Sequence, residues 1–479
     1  MGGEEPASKR ARTMGAGGSA AASAAKGVPA RPQPFMAEQA APEAFIAGMD
    51  QVQAALVGES EQRERLQKPS RALRSHMENC IRELLAGGQP DLDGGKALLG
   101  EFLAAAATTP DGLRSAGFAS DALAAVVGTG CLAHFLETGR LLPRKGFFDD
   151  MSTTEYLLGV IRFVDELEAY AVNRALWQDA ASVGLASDLV KAILEAFMNF
   201  NFRNGQLRVR YDSIKYRVKR LENILYELSL VRGKDEDEPM LADDATDAEK
   251  AQASQLIDTA ELDEMVKELD AATQDRENVI KATRDPQKDS KKAIFSLHRG
   301  NLDEARKLLQ KTMENCRAIA SSTTMSRGEL HSGAYGNALE EYAEARIFEE
   351  WLTNDGNLLP LSVLQEEVDI TEKDYLGGVV DFTGELGRYG VARATKRDME
   401  GVKRVLASDL MVKRYAIQLQ DVVSFKVSKK LNAVFTNTKK MENTLYELTL
   451  VMRSNRKTMD LSSTEADAPA SGGGDADNN

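Results

Sequence analysis

The chain repeats itself once, and this internal repeat restricts its fold more than any other feature. The segment YLLGVIRFVDELEAYAVNRA, which begins at Tyr156, returns as YLGGVVDFTGELGRYGVARA from Tyr375. LASDL occurs at residues 185–189 and at 406–410, and ENILYELSLV at 222–231 returns as ENTLYELTLV at 442–451. The three pairs keep one order and lie about 220 residues apart, which is the pattern of a duplicated structural unit. We therefore predict two copies of one fold.

Each copy has the periodicity of helices. In the second copy Tyr375, Val379, Phe382, Leu386 and Tyr389 recur at steps of three and four residues, as in a helix with one buried face. Strand-like alternation is absent, and only 13 of the 479 residues are proline. The predicted fold is all-α, with two tandem antiparallel helical bundles.

Composition divides the chain into five segments. The stretch KDEDEPMLADDATDAEK is acidic and poor in aromatic residues, and both chain ends are rich in small residues, so all three are expected to be disordered or linking segments. The predicted segments are a disordered tail (1–37), the first copy (38–233), an acidic linker (234–254), the second copy (255–457) and a second disordered tail (458–479). The sequence leaves open whether the two copies pair within one chain or between chains.

Several features bear on cellular location. The three cysteines form no close pair, which favours reduced, buried thiols inside a cell. The run from Lys9 to Arg12 reads KRAR, which is either a nuclear-import signal or a solvated basic tail. The longest apolar stretch, 122–135, is too short and interrupted to span a bilayer. We expect a cytoplasmic and nuclear protein with no membrane partner.

Four further segments resemble the translin family. LRVRYDSIKYRVKRLENILYELSLVRG (207–233) is similar to the C-terminal helix of translin, whereas RDPQKDSKKAIFSLHR (284–299), ALEEYAEARIF (338–348) and FKVSKKL (425–431) resemble translin-associated factor X. The likeness is weak in the first helices of the first copy. It implies seven-helix bundles, assembly into a closed hollow oligomer, and binding of RNA and single-stranded DNA. In this family the mixed complex of the two proteins is an RNA-silencing endonuclease whose factor X subunits carry the active site.

Four acids in the second copy are the candidate catalytic and metal-binding residues. Glu341 and Glu344 are three residues apart on one predicted helix, and Asp381 and Glu385 are four apart on another, so each pair shares a helix face. The resemblance implies that these positions bind metal, and hard carboxylate ligands suit Mg²⁺, with Mn²⁺ as an alternative. Spacing alone leaves open that they are solvated or ion-paired helix residues.

The first copy lacks this acid set. Aligning HFLET with EYAEA places His134 at the position of Glu341 and Glu137 at that of Glu344. Aligning RFVDEL with DFTGEL places Arg162 at Asp381 and Glu166 at Glu385. A cation in place of an acid opposes a divalent ion, so we expect the first copy to be catalytically silent.

The net charge of −14 argues against a simple basic binding surface, so nucleic-acid contacts must come from local clusters. The candidates are Arg327 and His331, just before the acidic helix, and Arg208, Arg210 and Lys215 on the last helix of the first copy. The alternative is a solvated face or inter-subunit ion pairs. The leading hypothesis is a Mg²⁺-dependent endoribonuclease acting on short single-stranded or nicked RNA; a non-catalytic single-stranded DNA/RNA-binding protein and a helical oligomeric scaffold are the alternatives.

Overall fold

The computed structural model describes residues 42–109, 113–203, 205–231, 255–420 and 425–465, and within these ranges every regular element is a helix. The all-α prediction is confirmed. The N-terminal tail and the acidic linker lie outside the described residues. The last helix continues to Glu465, into the first residues of the predicted C-terminal tail, and from Phe425 to that point the sequence has neither glycine nor proline to end it.

The first copy contains six α-helices and one 3₁₀ turn among its described residues. They are α1 Glu43–Leu85, α2 Leu92–Ala107, α3 Gly117–Thr138, the 3₁₀ turn Arg144–Gly146, α4 Thr153–Leu176, α5 Ala180–Met198 and α6 Gln206–Val231. By length and apolar composition α3 is able to cross a membrane, yet 72% of its most apolar window is buried inside the protein. It is the central core helix of this copy, packed against α1 and α4.

The second copy repeats this order with small changes. Its helices are α7 Thr259–Ala282, α8 Arg284–His298, α9 Leu302–Ser322, α10 Arg327–His331, α11 Ala334–Thr353, α12 Leu361–Glu367, α13 Glu372–Thr395, α14 Met399–Leu419 and α15 Phe425–Glu465. Thr283 alone separates α7 from α8 and keeps near-helical angles, so the two together match the long α1. Pro69 within α1 accordingly corresponds to Pro286 near the start of α8.

The repeat extends to the starts of α4 and α13, the equivalent helices of the two copies. Ser152 and Glu155 form a capping box at the start of α4, and Thr371 and Asp374 form the equivalent box at the start of α13. Each box satisfies backbone N–H groups that the first helical turn leaves without partners. These caps fix where both helices begin, and so which residues they direct toward the neighbouring helix.

The two copies pair within one chain by exchanging the starts of their first helices. The N-terminal part of α1 lies on the second copy, where Gln51 Nε2 donates a 2.9 Å hydrogen bond to Glu372 Oε1 and Phe45 packs edge-to-face on Tyr415 at 5.9 Å. Conversely, α7 lies on the first copy. Its Met265 is fully buried in the first copy's core, and its Glu268 accepts a hydrogen bond from Thr153.

This exchange is symmetric. Gln51 and Glu268 occupy equivalent places on the two first helices, and Glu372 and Thr153 are equivalent residues at the starts of α13 and α4. The same contact is therefore made twice, as in a two-fold symmetric dimer. A covalent link between the copies accordingly fixes their ratio at one to one within a single compact unit, residues 41–479.

Candidate functional site

The helices α11 and α13 approach each other closely because glycine lies between them. A Cβ placed on Gly378 would lie 2.6 Å from the Cβ of Ala343 and 3.0 Å from the backbone nitrogen of Glu344. Any larger residue at this point would push the helices apart. Asp381 and Glu385 follow Gly378 by three and seven residues, so they lie on the same helix face. The close approach thus brings the two predicted acid pairs to one interface.

Glu344 is the buried member of this acid cluster. It is 8% exposed, and among the described residues no side chain forms an ion pair or hydrogen bond with it. Burial, followed by the nearby carboxylates of Asp381, Glu341 and Glu385, raises the pKa of Glu344 to about 8. A buried acid facing three others is costly for a protein without a compensating charge.

The other three acids each contact a cation or a histidine. Lys291 Nζ lies 2.9 Å from Glu341 Oε1, and Lys430 Nζ lies 2.9 Å from Asp381 Oδ2. His298 Nε2 is paired with Glu385, and this hydrogen bond lowers the pKa of the Glu385 carboxyl. Two of these partners, Lys291 and His298, belong to α8, so α8 closes one side of the acid cluster.

Glu340 is a fifth acid that the sequence analysis missed. Its Oε2 accepts a 2.6 Å hydrogen bond from Lys430 Nζ, and burial raises the pKa of Glu340 despite this partner. Lys430 therefore bridges Glu340 and Asp381. The signal was present, because Glu340 lies four residues before Glu344 and so shares its helix face. Lys291 and His298 were also visible, in the segment that carried the likeness to factor X.

The donor atoms suit a hard divalent ion, but the side chains do not enclose one in their present conformations. Carboxylate oxygens are the ligands that Mg²⁺ prefers. Within the described residues, however, no three His, Cys, Asp or Glu side chains are arranged to hold an ion together. Lysine amino groups and the His298 ring occupy positions next to three of the acids. Metal binding therefore requires that Lys291 or Lys430 give way.

The structure corrects the alignment of the first copy. Phe135 packs edge-to-face on Phe163 at 6.2 Å and on Tyr170 at 5.5 Å. Trp351 makes the same two contacts with the equivalent rings, Phe382 at 6.4 Å and Tyr389 at 5.2 Å. Phe348 also contacts both rings, at 6.3 Å each, so the glycine contacts decide the register. Val127 meets Gly159 as Ala343 meets Gly378, and this pairing places Phe135 at the position of Trp351.

This correspondence shifts α3 against α11 by nine residues. His134 and Glu137 do not take the places of Glu341 and Glu344; Ala125 and Gly128 do. The sequence alignment was wrong because it rested on a few similar residues in HFLET and EYAEA. The spatial register is fixed by the helix contacts at Gly159 and Gly378, and the ring contacts agree with it.

A cation fills the acid site of the first copy. The Arg162 side chain lies over Gly128, where an added Cβ would lie 3.4 Å from the Arg162 Cγ. Arg162 also forms ion pairs with Glu166 at 3.7 Å and with Glu78 at 3.4 Å. Three of the four acids are absent from this copy, one more than the sequence alignment indicated. Arg162 and Gly128 thus stand at the positions that Asp381 and Glu344 hold in the second copy.

The predicted nucleic-acid residues of the second copy lie in an internal ion-pair network. Arg327 binds Asp369 through Nε and Nη2 at 3.0 and 2.8 Å. His331 Nδ1 lies 2.5 Å from Asp374 Oδ2, and the His331 side chain is 7% exposed. Arg327 keeps 57% of its side chain exposed, so it remains reachable from solvent, whereas His331 is held inside the protein.

The predicted residues of α6 differ in their availability. Arg208 forms an ion pair with Asp212 at 3.3 Å, and Arg210 forms one with Asp121 at 2.6 Å. Lys215 is exposed, with its Nζ 5.1 Å from the centre of the Tyr216 ring. The structure does not bring these residues together with the acid cluster, because they lie on the other copy.

Comparison with known proteins follows the same division into two copies. The Translin family model matches residues 116–233 and 274–451, one range in each copy and more than half of the chain in total. The chain belongs to the translin family. The first-copy match begins only at residue 116, in agreement with the weak resemblance of its first helices.

Individual relatives match parts of the chain. The translin of Gallus gallus is 35% identical over 86 residues, which are 18% of this chain and 37% of the chicken protein. The chain thus aligns with little more than a third of the length of the translins. Translin-associated protein X of Pongo abelii is 28% identical over 225 residues, 38% of this chain and 74% of that protein. A solved AfC3PO–duplex RNA complex has a TM-score of 0.34 at 20% identity, covering 40% of this chain and 97% of that one.

Proposed function

We propose that this chain is a Mg²⁺-dependent endoribonuclease that acts on short single-stranded or nicked RNA, and that its second copy carries the active site. The observation that carries the proposal is Glu344, a buried carboxylate that faces Asp381, Glu341 and Glu385 with no cation bound to it among the described residues. A protein gains nothing in stability from such a group. A role in binding a divalent cation explains why it is there.

Each residue of the site has a role in this proposal. Glu341, Glu344, Asp381 and Glu385 would hold the ion, which when bound supplies positive charge for a phosphoryl oxygen and a more acidic water. His298 fixes the orientation of Glu385 through Nε2, as an outer partner of a metal ligand commonly does. Lys430 holds Asp381 and Glu340 together from α15. Mn²⁺ would use the same oxygen ligands.

Self-association belongs to the proposal. The last helices of both copies expose the same apolar residues: Tyr226 and Tyr446 are each 64% exposed, and Leu230 and Leu450 are 65% and 50% exposed. Equivalent apolar residues that stay exposed in both copies after intrachain pairing indicate a surface for a further copy of this chain. Closure of several chains into a hollow oligomer would place the acid clusters in a confined space.

The runner-up is a non-catalytic protein that binds single-stranded RNA and DNA. It is favoured by one observation, namely that Lys291, Lys430 and His298 already contact three of the four acids. In that case the acid cluster would be an internal ion-pair network. A helical scaffold without nucleic-acid binding is the third class.

A cleavage assay separates the three. Short 5′-labelled RNA is incubated with the full chain in Mg²⁺ or in EDTA. We expect cleavage only with Mg²⁺, and a loss of at least about 100-fold in Glu344→Gln and in Asp381→Asn, since each removes a charge that acts in the transition state. Glu166→Gln, which changes the first-copy equivalent of Glu385, should cut normally.

The remaining outcomes assign the other classes. A wild-type chain that binds RNA but never cuts it supports the non-catalytic binder. If the chain does not bind RNA at all, the helical scaffold is the remaining hypothesis. Size-exclusion chromatography of each variant excludes loss of the oligomer as the cause.

A further inference from the structure

One face of α8 and its C-cap carries a row of exposed cations with one aromatic ring among them. The row consists of Arg284, Lys288, Lys291, Phe295 and Arg299, spaced at three or four residues, and is here named the α8 ridge. All five side chains are exposed, and Phe295 is 46% exposed. Because a helix rises 1.5 Å per residue, the ridge is about 22 Å long. A continuous basic row of this length is unusual on a chain whose net charge is −14.

The cations of the ridge are available to a ligand. Within the part of the chain that the structure describes, Arg284, Lys288 and Arg299 form no ion pair with an Asp or Glu side chain, although Asp285 is exposed beside them. By contrast, Arg208, Arg210 and Arg327 each bind a carboxylate. Unpaired surface cations attract a polyanion without first giving up an internal partner.

The ridge borders the acid cluster. Its member Lys291 contacts Glu341 at 2.9 Å, and His298, two turns further along the same helix, contacts Glu385. A chain of phosphates lying along the ridge therefore passes beside the carboxylates of α11 and α13. The four acids alone would repel such a chain, so a neighbouring row of cations is what allows it to approach.

Phe295 adds a surface for a base. The guanidinium carbon of Arg299 lies 4.3 Å from the centre of the Phe295 ring, so one side of this exposed ring is covered by a cation. Exposed aromatic rings beside basic side chains are how proteins hold unpaired bases of single strands. Bases in a duplex are already stacked and paired, and so are not available to such a ring.

The first copy lacks this combination. The equivalents of the five ridge residues on α1 are Gln67, Arg71, Arg74, Glu78 and Arg82. Glu78 replaces the aromatic ring, and it binds Arg74 at 2.9 Å and Arg162 at 3.4 Å. The ridge is thus specific to the copy that carries the acid cluster.

We propose that the α8 ridge binds the phosphate backbone of single-stranded RNA and leads it to the acid cluster, with Phe295 stacking on one base. The binding step stands on the contacts of α8 alone; the delivery of RNA to a cleavage site rests on the function proposed above. Arg284, Lys288 and Arg299 contact phosphates, and Lys291 exchanges Glu341 for a phosphate.

The test measures binding of a labelled single-stranded RNA by fluorescence anisotropy, with the full chain in EDTA so that no cleavage occurs. The double variant Lys288→Glu/Arg299→Glu should weaken binding at least tenfold. Because each phosphate contact contributes about 0.7 to the slope of log K against log salt for single strands, the slope should fall by about 1.4. Arg71→Glu, at the position of Lys288 in the first copy, should change affinity less than twofold.

Further arms define the ligand. Phe295→Ala should lower the affinity for single-stranded RNA several-fold and leave the affinity for a blunt duplex nearly unchanged, since only unpaired bases stack on the ring. Circular dichroism and thermal unfolding confirm that each variant folds. The proposal is overturned if the double variant binds as tightly as the wild type, if Arg71→Glu is equally harmful, or if the wild type does not bind RNA. An equal loss of duplex binding in Phe295→Ala overturns the stacking role.

These outcomes are separable from the cleavage result. If the wild type binds RNA through the ridge but does not cut it in Mg²⁺, the nuclease proposal fails and the ridge proposal stands. If the double variant cuts RNA as fast as the wild type, the nuclease proposal stands and the ridge proposal fails.

Discussion

The side chain of Arg162 lies across Gly128 in the first copy, and the residues at the same two places in the second copy are Asp381 and Glu344. Both pairs sit between helices that approach closely at an equivalent glycine, Gly159 or Gly378. One duplicated framework therefore holds a cation over a glycine in one copy and two facing carboxylates in the other. Under the proposed function, this difference gives Arg162 a stabilising role and the two carboxylates a chemical one.

Arg162 should matter for stability and not for cleavage. Arg162→Ala removes ion pairs with Glu78 and Glu166 and leaves Glu166 buried, where burial already raises its pKa. We expect a loss of about 1–3 kcal/mol in the free energy of unfolding, measured by urea denaturation, with RNA cleavage unchanged. Arg162→Lys should lose less. A cleavage defect in Arg162→Ala with an intact oligomer would contradict a silent first copy.

Gly378 should be intolerant of even one methyl group. In Gly378→Ala the new Cβ meets Ala343 and the Glu344 backbone, so α11 and α13 must separate, and both thermal stability and cleavage should fall. Gly387→Ala is the control on the same helix, because a Cβ there meets nothing within 4 Å. It should be neutral or stabilise by up to about 1 kcal/mol. Equal effects of the two substitutions on the melting temperature would show that the close approach is unimportant.

Asp409 should make the fold less stable as the pH rises. Its side chain is fully buried, neither oxygen has a hydrogen-bond partner, and burial raises its pKa from 3.8 to about 8. The folded state therefore holds a proton that the unfolded state releases near pH 4. Stability from this residue is complete below about pH 4 and is lost as the pH rises through 8.

Substitution of Asp409 tests this directly. Asp409→Asn should remove the decline, by an amount on the order of a few kcal/mol, in unfolding experiments between pH 5 and 9. Asp188→Asn, at the exposed equivalent in the first copy, should keep the decline that Asp409 causes. An unaltered decline in Asp409→Asn would refute this assignment.

Lys430 should compete with a divalent cation. In Lys430→Met the half-buried Asp381 and Glu340 lose their shared partner, and because both carboxylates are partly exposed the cost of leaving them unpaired is about 1–3 kcal/mol. Mg²⁺ should therefore stabilise this variant more than the wild type. The measurement is the rise in melting temperature on adding Mg²⁺ at roughly 5 mM, enough to fill a weak site. Arg210→Met, the matched change in the first copy, should show no such rescue.

The sequence predicted the framework well because the framework rests on local patterns. Helical periodicity and the repeated segments around Tyr156 and Tyr375 are readable from the chain itself, and both describe buried surfaces. The partners of the acids were harder, since Lys430 and His298 come from helices far away in sequence. The alignment of α3 with α11 was wrong for a related reason: no polar motif is shared there, and the register is set by tertiary contacts, those of Gly159 with Val127 and of Gly378 with Ala343. The intrachain exchange of α1 and α7 depends on tertiary contacts that no local pattern encodes.

The most direct test of the central claim is a Mn²⁺ titration of the full chain followed by electron paramagnetic resonance, with the bound ion counted per chain. The account predicts saturable binding confined to the second copy, lost in Glu344→Gln and in Asp381→Asn, and unchanged in Glu166→Gln and in Arg162→Ala. Binding that survives Asp381→Asn, or that falls when Glu166 is changed, would contradict it.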